Sequence, residues 1–329
     1  MWSTSRTIGM AIGMAAISFG ISSCTSIGAE GNTNRDTCAV ELIVLGTGQD
    51  AGAPQIGNKN DPAWADPSLR LTATSVAIVD HDNNSRYLLD ATPHITEQLQ
   101  LLDTLAPIPR EGLGIQGVFL THAHIGHYAG LMFFGREAAG ARKIPVFATR
   151  RMSEYLINNG PWSQLVDLQN IIIAPQISGT PNPMTGDMTF TPLQVPHRDE
   201  FSDTVGLLIE TPGKDVLYLP DIDQWDTWEA DYGYSLEDII QTVDLAYVDA
   251  TFYDDNELPG RDMTKIPHPR VTETMERLAD FPDEVRARIQ FIHTNHTNPI
   301  RFQDSAETKT VLEAGFGIAR AGQIHCLVD

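Results

Sequence analysis

Residues 121–127 read Thr-His-Ala-His-Ile-Gly-His and follow the apolar run Gly117 to Leu120. Three imidazoles therefore fall within six residues at the exit of a buried strand, and Tyr128, Ala129, Gly130 and Leu131 continue as a helix start does. His122 and His124 are two apart, so in extended backbone they point to the same side and can grip one ion through neutral ring nitrogens. His127, beyond the bend, faces a neighbouring ion. A lone histidine is most often a core or surface residue; three clustered after a strand point to metal chemistry.

Outward from this loop the chain alternates strands and helices. Strands are expected at Glu41 to Leu45, Leu71 to Val79, Tyr87 to Leu89, Ile144 to Ala148, Ile171 to Ala174 and Phe190 to Val195. Others are expected at Val205 to Glu210, Asp215 to Leu219, Val243 to Val248 and Arg288 to Ile292. Helical spacing marks Ile95 to Leu105, with Thr92 or Thr96 near its start, and Met152 to Asn158. The run His81, Asp82, Asn83, Asn84 reads as a hairpin turn. Polar candidates recur where strands end: His197, Asp221, Asp249 and His293. That repetition argues for a site, because α/β folds place ligands at the carboxyl ends of their strands.

The 329 residues are 42% hydrophobic and 20% charged, ordinary for a globular chain, and the formal net charge is −21. Nucleic acid and anionic membrane surfaces are not drawn to so negative a protein, so a small-molecule substrate is expected. Arg6, the apolar run Ile8 to Ile21 and the following Ser22, Ser23 and Cys24 form an export signal too short to span a bilayer comfortably. They resemble a bacterial lipoprotein signal, which implies cleavage before Cys24, acylation of its thiol and a polar tether over Gly28 to Asp36. A plain secretory peptide and a single membrane anchor are the alternatives, and all three place the folded part outside the cytoplasm. The expected division is a signal at 1–23, a tether at 24–39 and one domain at 40–329. Cys38 and Cys326 lie near the two ends of that domain, and either a disulfide or two free thiols fits the sequence.

The histidine loop, His197 in VPHRDE (195–200), Asp221 in LPDID (219–223) and His293 in FIHTNHTNP (291–299) together resemble the metallo-β-lactamase-fold superfamily. GTGQDAGAPQ (46–55), DATFYDD (249–255) and HTNHTNP (293–299) are similar to the pyrroloquinoline-quinone biosynthesis B proteins within it. The resemblance implies an α/β fold, an αββα sandwich, with a metal site at one edge. It also implies that His122, His124 and His197 hold a first ion, with His127 and either His293 or His296 holding a second and Asp221 bridging. Asp221 and His127 are then the catalytic candidates. Where the superfamily motif carries an aspartate that ligates the second ion, this chain has Gly126. The second site is therefore expected to be empty, weak, or completed by another group, with Asp223, Asp249 and His268 as candidates. His268 in KIPHP is equally readable as a loop histidine, and Asp249 as a turn residue. The chain also departs from the biosynthesis B proteins: QIGNKND (55–61) lacks their cysteine cluster, and His122 and His124 are present where theirs differ.

A three-histidine ion with an open fourth position lowers the pKa of bound water to about 7. The expectation is an exported zinc hydrolase of a small ester, lactone, amide or phosphoester, with one tightly held ion and room for a second. Iron-dependent oxygenase chemistry, and a non-catalytic metal-binding lipoprotein, are the competing readings. The glycines at 46, 48 and 52 are expected to form a turn near the mouth of the site, not a nucleotide fingerprint, since no helix pattern follows them. Arg198 is expected to meet an anionic substrate or its acidic neighbours, and Pro161 to Ser163 to cap a helix, pack, or wall the site.

Overall fold

The computed structural model describes Met1, residues 38–109 and residues 111–329. The signal and tether readings, which rest on Arg6 to Cys24 and residues 28–36, lie outside the described residues. Residues 38–109 and 111–329 fall within one compact unit.

Alternation along the strands builds the layers. In β1 (Val40–Gly46), Leu42 and Val44 enter one apolar cluster while Ile43 and Leu45 enter another, as a period of two requires. β2 (Ser75–Asp80) does the same, Val76 and Ile78 joining the first pair and Ala77 and Val79 the second. With β3 (Ser85–Leu89), β4 (Gly117–Phe119), β5 (Ile144–Thr149) and β6 (Ile171–Gln176) they form one sheet. The second sheet contains β7 (Asn182–Pro183), β8 (Thr189–Val195), β9 (Thr204–Glu210), β10 (Val216–Leu219), β11 (Leu245–Asp249), β12 (Ile289–Ile292) and β13 (Gly317–Ile318). The last strand, β14 (Ile324–Val328), returns to the first sheet, antiparallel to β1.

The cluster shared by the sheets holds Leu42, Val44, Phe119, Phe190, Val205, Leu207, Val216 and Tyr218, so the sheets pack face to face. Ile95 and Leu102 of the helix Ile95–Leu105 cover the outer face of the first sheet, with Met152 and Leu156 from Arg150–Asn158. Trp225 and Trp228 of Trp225–Tyr232, Val271 of Val271–Arg277 and Val311 of Ala306–Glu313 cover the second. This is an αββα sandwich. Among the described residues, no helix is long and apolar enough to cross a membrane.

The expected strand from Leu71 begins only at Ser75. Residues 71–74 instead fasten the preceding loop: Thr47 N and Gly48 N donate to Thr72 O at 3.1 and 2.9 Å, and Leu71 pairs with Ala53. The helix at Ile95–Leu105 starts where the spacing places it, but neither threonine caps it. Its N-cap is His94, which has no side-chain cap bond, and Thr92 Oγ1 accepts from His94 N at 3.0 Å. His94 Nδ1 accepts from Ala73 N at 3.1 Å, and His81 pairs with Glu41, so both histidines belong to the scaffold. Pro161 to Ser163 open the helix Trp162–Asp167, and Trp162 packs on Tyr128 with ring centroids 4.7 Å apart, the packing reading.

Cys38 and Cys326 are joined in a disulfide, with Cα atoms 5.8 Å apart. The cause is the pairing of β14 with β1, which brings Ala39 N to 2.8 Å from Val328 O. The bridge spans 288 residues of sequence, and closing so long a loop restricts the unfolded chain by up to about 5 kcal/mol in the chain-entropy account.

Candidate metal centre

β3, β4 and β5 run parallel in one sheet, and β10, β11 and β12 in the other. Their carboxyl ends open on the same edge of the sandwich. Asp90 follows β3, the 121–127 loop follows β4, His197 follows β8, Asp221 follows β10, Asp249 ends β11 and His293 follows β12. Chain segments far apart in sequence thus deliver their polar residues to one place.

Three imidazole nitrogens converge there. His124 Nδ1 is 2.9 Å from His122 Nε2 and 3.2 Å from His197 Nε2, and Asp221 Oδ2 is 3.4 Å from both of the latter nitrogens. Ligands bound to a small tetrahedral ion at about 2.0 Å are about 3.3 Å from one another. The four atoms have that spacing.

Deeper in the site, His127 Nε2 and His293 Nε2 each lie 3.8 Å from the same Asp221 oxygen. Both nitrogens are buried without a hydrogen-bond partner. A buried ring nitrogen left unpaired costs about 1–3 kcal/mol unless something fills its lone pair, and a cation does so. His127, His293 and Asp221 form a second cluster of potential ligand atoms beside His122, His124, His197 and Asp221. The donor set therefore fits one ion and provides part of the shell of another.

The ring nitrogens that turn away from the site are held. His127 Nδ1 donates to Asp90 Oδ2 at 2.7 Å, and His197 Nδ1 donates to Asp223 Oδ1 at 2.7 Å. His124 Nε2 is 3.0 Å from Glu200 Oε2, and His293 Nδ1 is 3.0 Å from Thr251 Oγ1. The Thr121 hydroxyl donates to Asp90, so it accepts from His122 Nδ1 at 3.0 Å. Outer partners of this kind set the tautomer and aim of each ring. They also divide the charges. The Asp90 carboxylate outweighs burial and raises His127 to about 9, whereas burial and the neighbouring His127 charge push His122 and His293 well below the ordinary histidine value. Burial pushes the Asp221 carboxyl up.

The expected ligands divide as follows. His122, His124, His127, His197, Asp221 and His293 come together, whereas His296 does not. Its Nδ1 lies 3.0 Å from Asn58 Nδ2, away from the cluster, because the turn after His293 directs it toward the buried pair Asp61 and Arg301. Asp223 is likewise removed from the list of second-site ligands, since its carboxylate is occupied by His197. Asp249 accepts from Thr251 N at 2.7 Å and Ile222 N at 3.1 Å, as the turn reading has it, and with Asp221 and His268 it also forms a third group of potential ligand atoms. His268 is no idle loop residue. Its Nδ1 hydrogen-bonds Asp249 Oδ2 at 2.8 Å and lies 3.3 Å from Asp221 Oδ1, close enough for its charge to act on the central carboxylate, whose Oδ1 has no hydrogen-bond partner. Arg198 pairs with Glu200. Asp90, absent from the sequence-based candidates, leaves as its only local signal a carboxylate at the end of an apolar strand; the backbone there has φ 67°, a left-handed conformation that asparagine and aspartate tolerate.

A family model described as a beta-lactamase superfamily domain matches residues 85–294. The chain is similar to the coenzyme PQQ synthesis protein B of Methylorubrum populi, 27% identical over 317 residues that cover 86% of this chain and 98% of that protein. Among solved structures it is similar to Zn(2+)-bound PqqB from Methylobacterium extorquens, with a TM-score of 0.69 and 24% identity, covering 87% of this chain and 99% of that one. A diphosphatase from the PhnP family superposes with a TM-score of 0.59 at 20% identity, covering 87% and 96% of the two chains.

Proposed function

Because the chain belongs to the beta-lactamase superfamily, we propose that it is an exported, metal-dependent hydrolase of a small ester, lactone, amide or phosphoester. The observation that carries the reading is the convergence of His122, His124, His197 and Asp221 at 2.9 to 3.4 Å. His122, His124 and His197 would hold a zinc ion, with Asp221 between it and the deeper pair His127 and His293. Such an ion, when bound, supplies Lewis acidity and water acidified to a pKa of about 7.

The chain's own residues do the rest. Asp221 places a negative charge between the two histidine groups, and His268, held by Asp249, stands 3.3 Å from its other oxygen and favours that charge. Buried His127 is kept in one orientation by Asp90, with its Nε2 toward the reaction space. His124 is the ring that faces solvent, 15% exposed in its side chain, so substrate approaches from that side. Ile125 and Phe201, each 59% exposed, flank that approach in sequence and offer apolar surface to the non-reacting part of a substrate. The net charge of −21 favours neutral or cationic molecules. The Cys38–Cys326 disulfide supports residence in an oxidising compartment, which agrees with the N-terminal export signal.

Elemental analysis of the purified protein beside His122→Ala tests the reading. Zinc in the parent, lost in the variant together with hydrolysis on an ester, lactone and phosphodiester panel, is expected; no metal in either protein would overturn it. A second reading, an iron-dependent oxygenase related to quinone-cofactor biosynthesis, is supported by similarity that covers 98% of a coenzyme PQQ synthesis protein B. A histidine and carboxylate donor set suits iron as well as zinc. Copurifying iron and turnover that requires oxygen would put that reading in place of the hydrolase.

A further inference from the structure

The deeper half of the site has two histidines and a shared oxygen, and position 126, beside them, is a glycine. Space explains the glycine. A Cβ built on Gly126 would stand 2.5 Å from Asp50 Cα, 3.1 Å from Asp50 N and 3.0 Å from Asp50 Oδ1. Real side chains do not approach backbone so closely, so no residue with a side chain fits at 126 while Asp50 is where it is. An aspartate at 126 would hold its carboxylate oxygens roughly 2.4 Å beyond its Cβ, by ordinary bond lengths. Asp50 Oδ1 stands 3.0 Å from the same point, so the Asp50 side chain borders the volume that a side chain at 126 would enter.

We propose that Asp50 supplies the carboxylate of a second metal site, in place of the side chain that position 126 lacks. The turn bearing it is fastened to both histidines that need it. Gln49 N donates to Thr294 O at 2.9 Å and Thr294 N donates to Thr47 O at 2.8 Å, which ties the turn to the residue after His293. On the other side its backbone lies against Gly126, the residue before His127. Two fully buried nitrogens, His127 Nε2 and His293 Nε2, stand unpartnered beside Asp221. The Asp50 carboxylate does not lie within that group of ligand atoms, so its side chain must turn toward them when the ion binds. Of the other carboxylates, Asp90 is held by His127 Nδ1 and Thr121, and Asp223 by His197, while Asp249 accepts from two backbone amides and His268 and groups with Asp221 and His268, not with His127 and His293. Asp50 is half-buried, and its charge already acts on the His127 ring. The left-handed backbone at Asp50, φ 41°, is one that aspartate adopts more readily than most side chains.

The inference rests on the metallohydrolase reading, and the test separates the two. Metal content after zinc loading, and the visible spectrum after cobalt substitution, are measured for the parent, Asp50→Asn, Asp50→Gly and His197→Ala. Two ions in the parent and one in both Asp50 variants, with the spectrum of the first site unchanged, are expected. Asn keeps the shape of the turn and Gly suits its backbone, so a loss shared by both reports the carboxylate and not misfolding. Second-ion affinity should fall by more than the about 10–100-fold typical of a supporting partner. Two ions in the parent and in Asp50→Asn, or one ion in both, overturn the proposal for Asp50 while leaving the hydrolase reading intact. No ion in the parent, or full metal content in His197→Ala, overturns the parent reading and this one with it.

Discussion

The two halves of the metal centre share one carboxylate oxygen and differ in nearly everything else. His122, His124 and His197 bring their nitrogens within 3.2 Å of His124 Nδ1, at the solvent side, from two loops. His127 and His293 sit completely buried, each 3.8 Å from Asp221, and depend on Asp90, Thr251 and the turn at Asp50 for their setting. The first half takes two of its three histidines from one short loop and the third from a loop 73 residues away. The second is a space enclosed by segments that meet only in the folded chain. A ligand set built in the second way can exchange one contributor for another, provided the new side chain reaches the same space.

The largest effect should separate the halves by activity. His197→Ala removes a member of the four-atom set and is expected to lower hydrolysis at least about 1,000-fold, because the nucleophile is lost outright. Retained activity and metal would break the assignment of the first half. Gly126→Ala should act almost as strongly on the second half without deleting any ligand, since its methyl must displace the Asp50 backbone. The expected result is loss of the second ion with the first retained, read by zinc titration; unchanged stoichiometry would show that the close packing at 126 is not what the site needs. Asp90→Asn and Asp223→Asn make a matched pair, each removing the negative charge of the group that accepts from one ring nitrogen. Each should weaken metal binding about 10–100-fold, the former at the second ion and the latter at the first. An equal effect of both on the same ion would erase the distinction between the halves.

The smallest effect is in pH. His127 is raised to about 9, against the pull of burial, by the Asp90 carboxylate, so without metal it holds its proton at neutral pH. That proton must leave before Nε2 can ligate. Second-ion affinity should therefore rise by up to about tenfold per pH unit from the ordinary histidine value toward about 9 and then level off. His122 is pushed well below the ordinary value by burial, with the neighbouring His127 charge adding to it, and contributes no such slope. In Asp90→Asn the slope should flatten, as isothermal titration at several pH values would show.

Much of the fold was legible because strands announce themselves locally. β1, β5, β8 and β9 fall within a residue or two of the apolar runs that mark them. The helices Leu236–Thr242, Val271–Arg277 and Asp283–Arg286 were not anticipated, since pieces of four to seven residues are too short to display a helical period. Strand β14 was also missed: its five residues become a strand by pairing with β1 at the far end of the chain, and that contact leaves no local trace.

The same division runs through the site. The spacing His122, His124, His127 and the polar residues at strand ends are properties of the sequence, because a strand of period two sets the aim of its neighbours and the parallel sheets set where strands end. The choice of His293 over His296, the support of His127 by Asp90, the disulfide and the filling of the space beside Gly126 by Asp50 were decided by tertiary structure alone. Each depends on which backbone stands within a few ångströms of which other, and one residue's position along the chain carries no record of that distance.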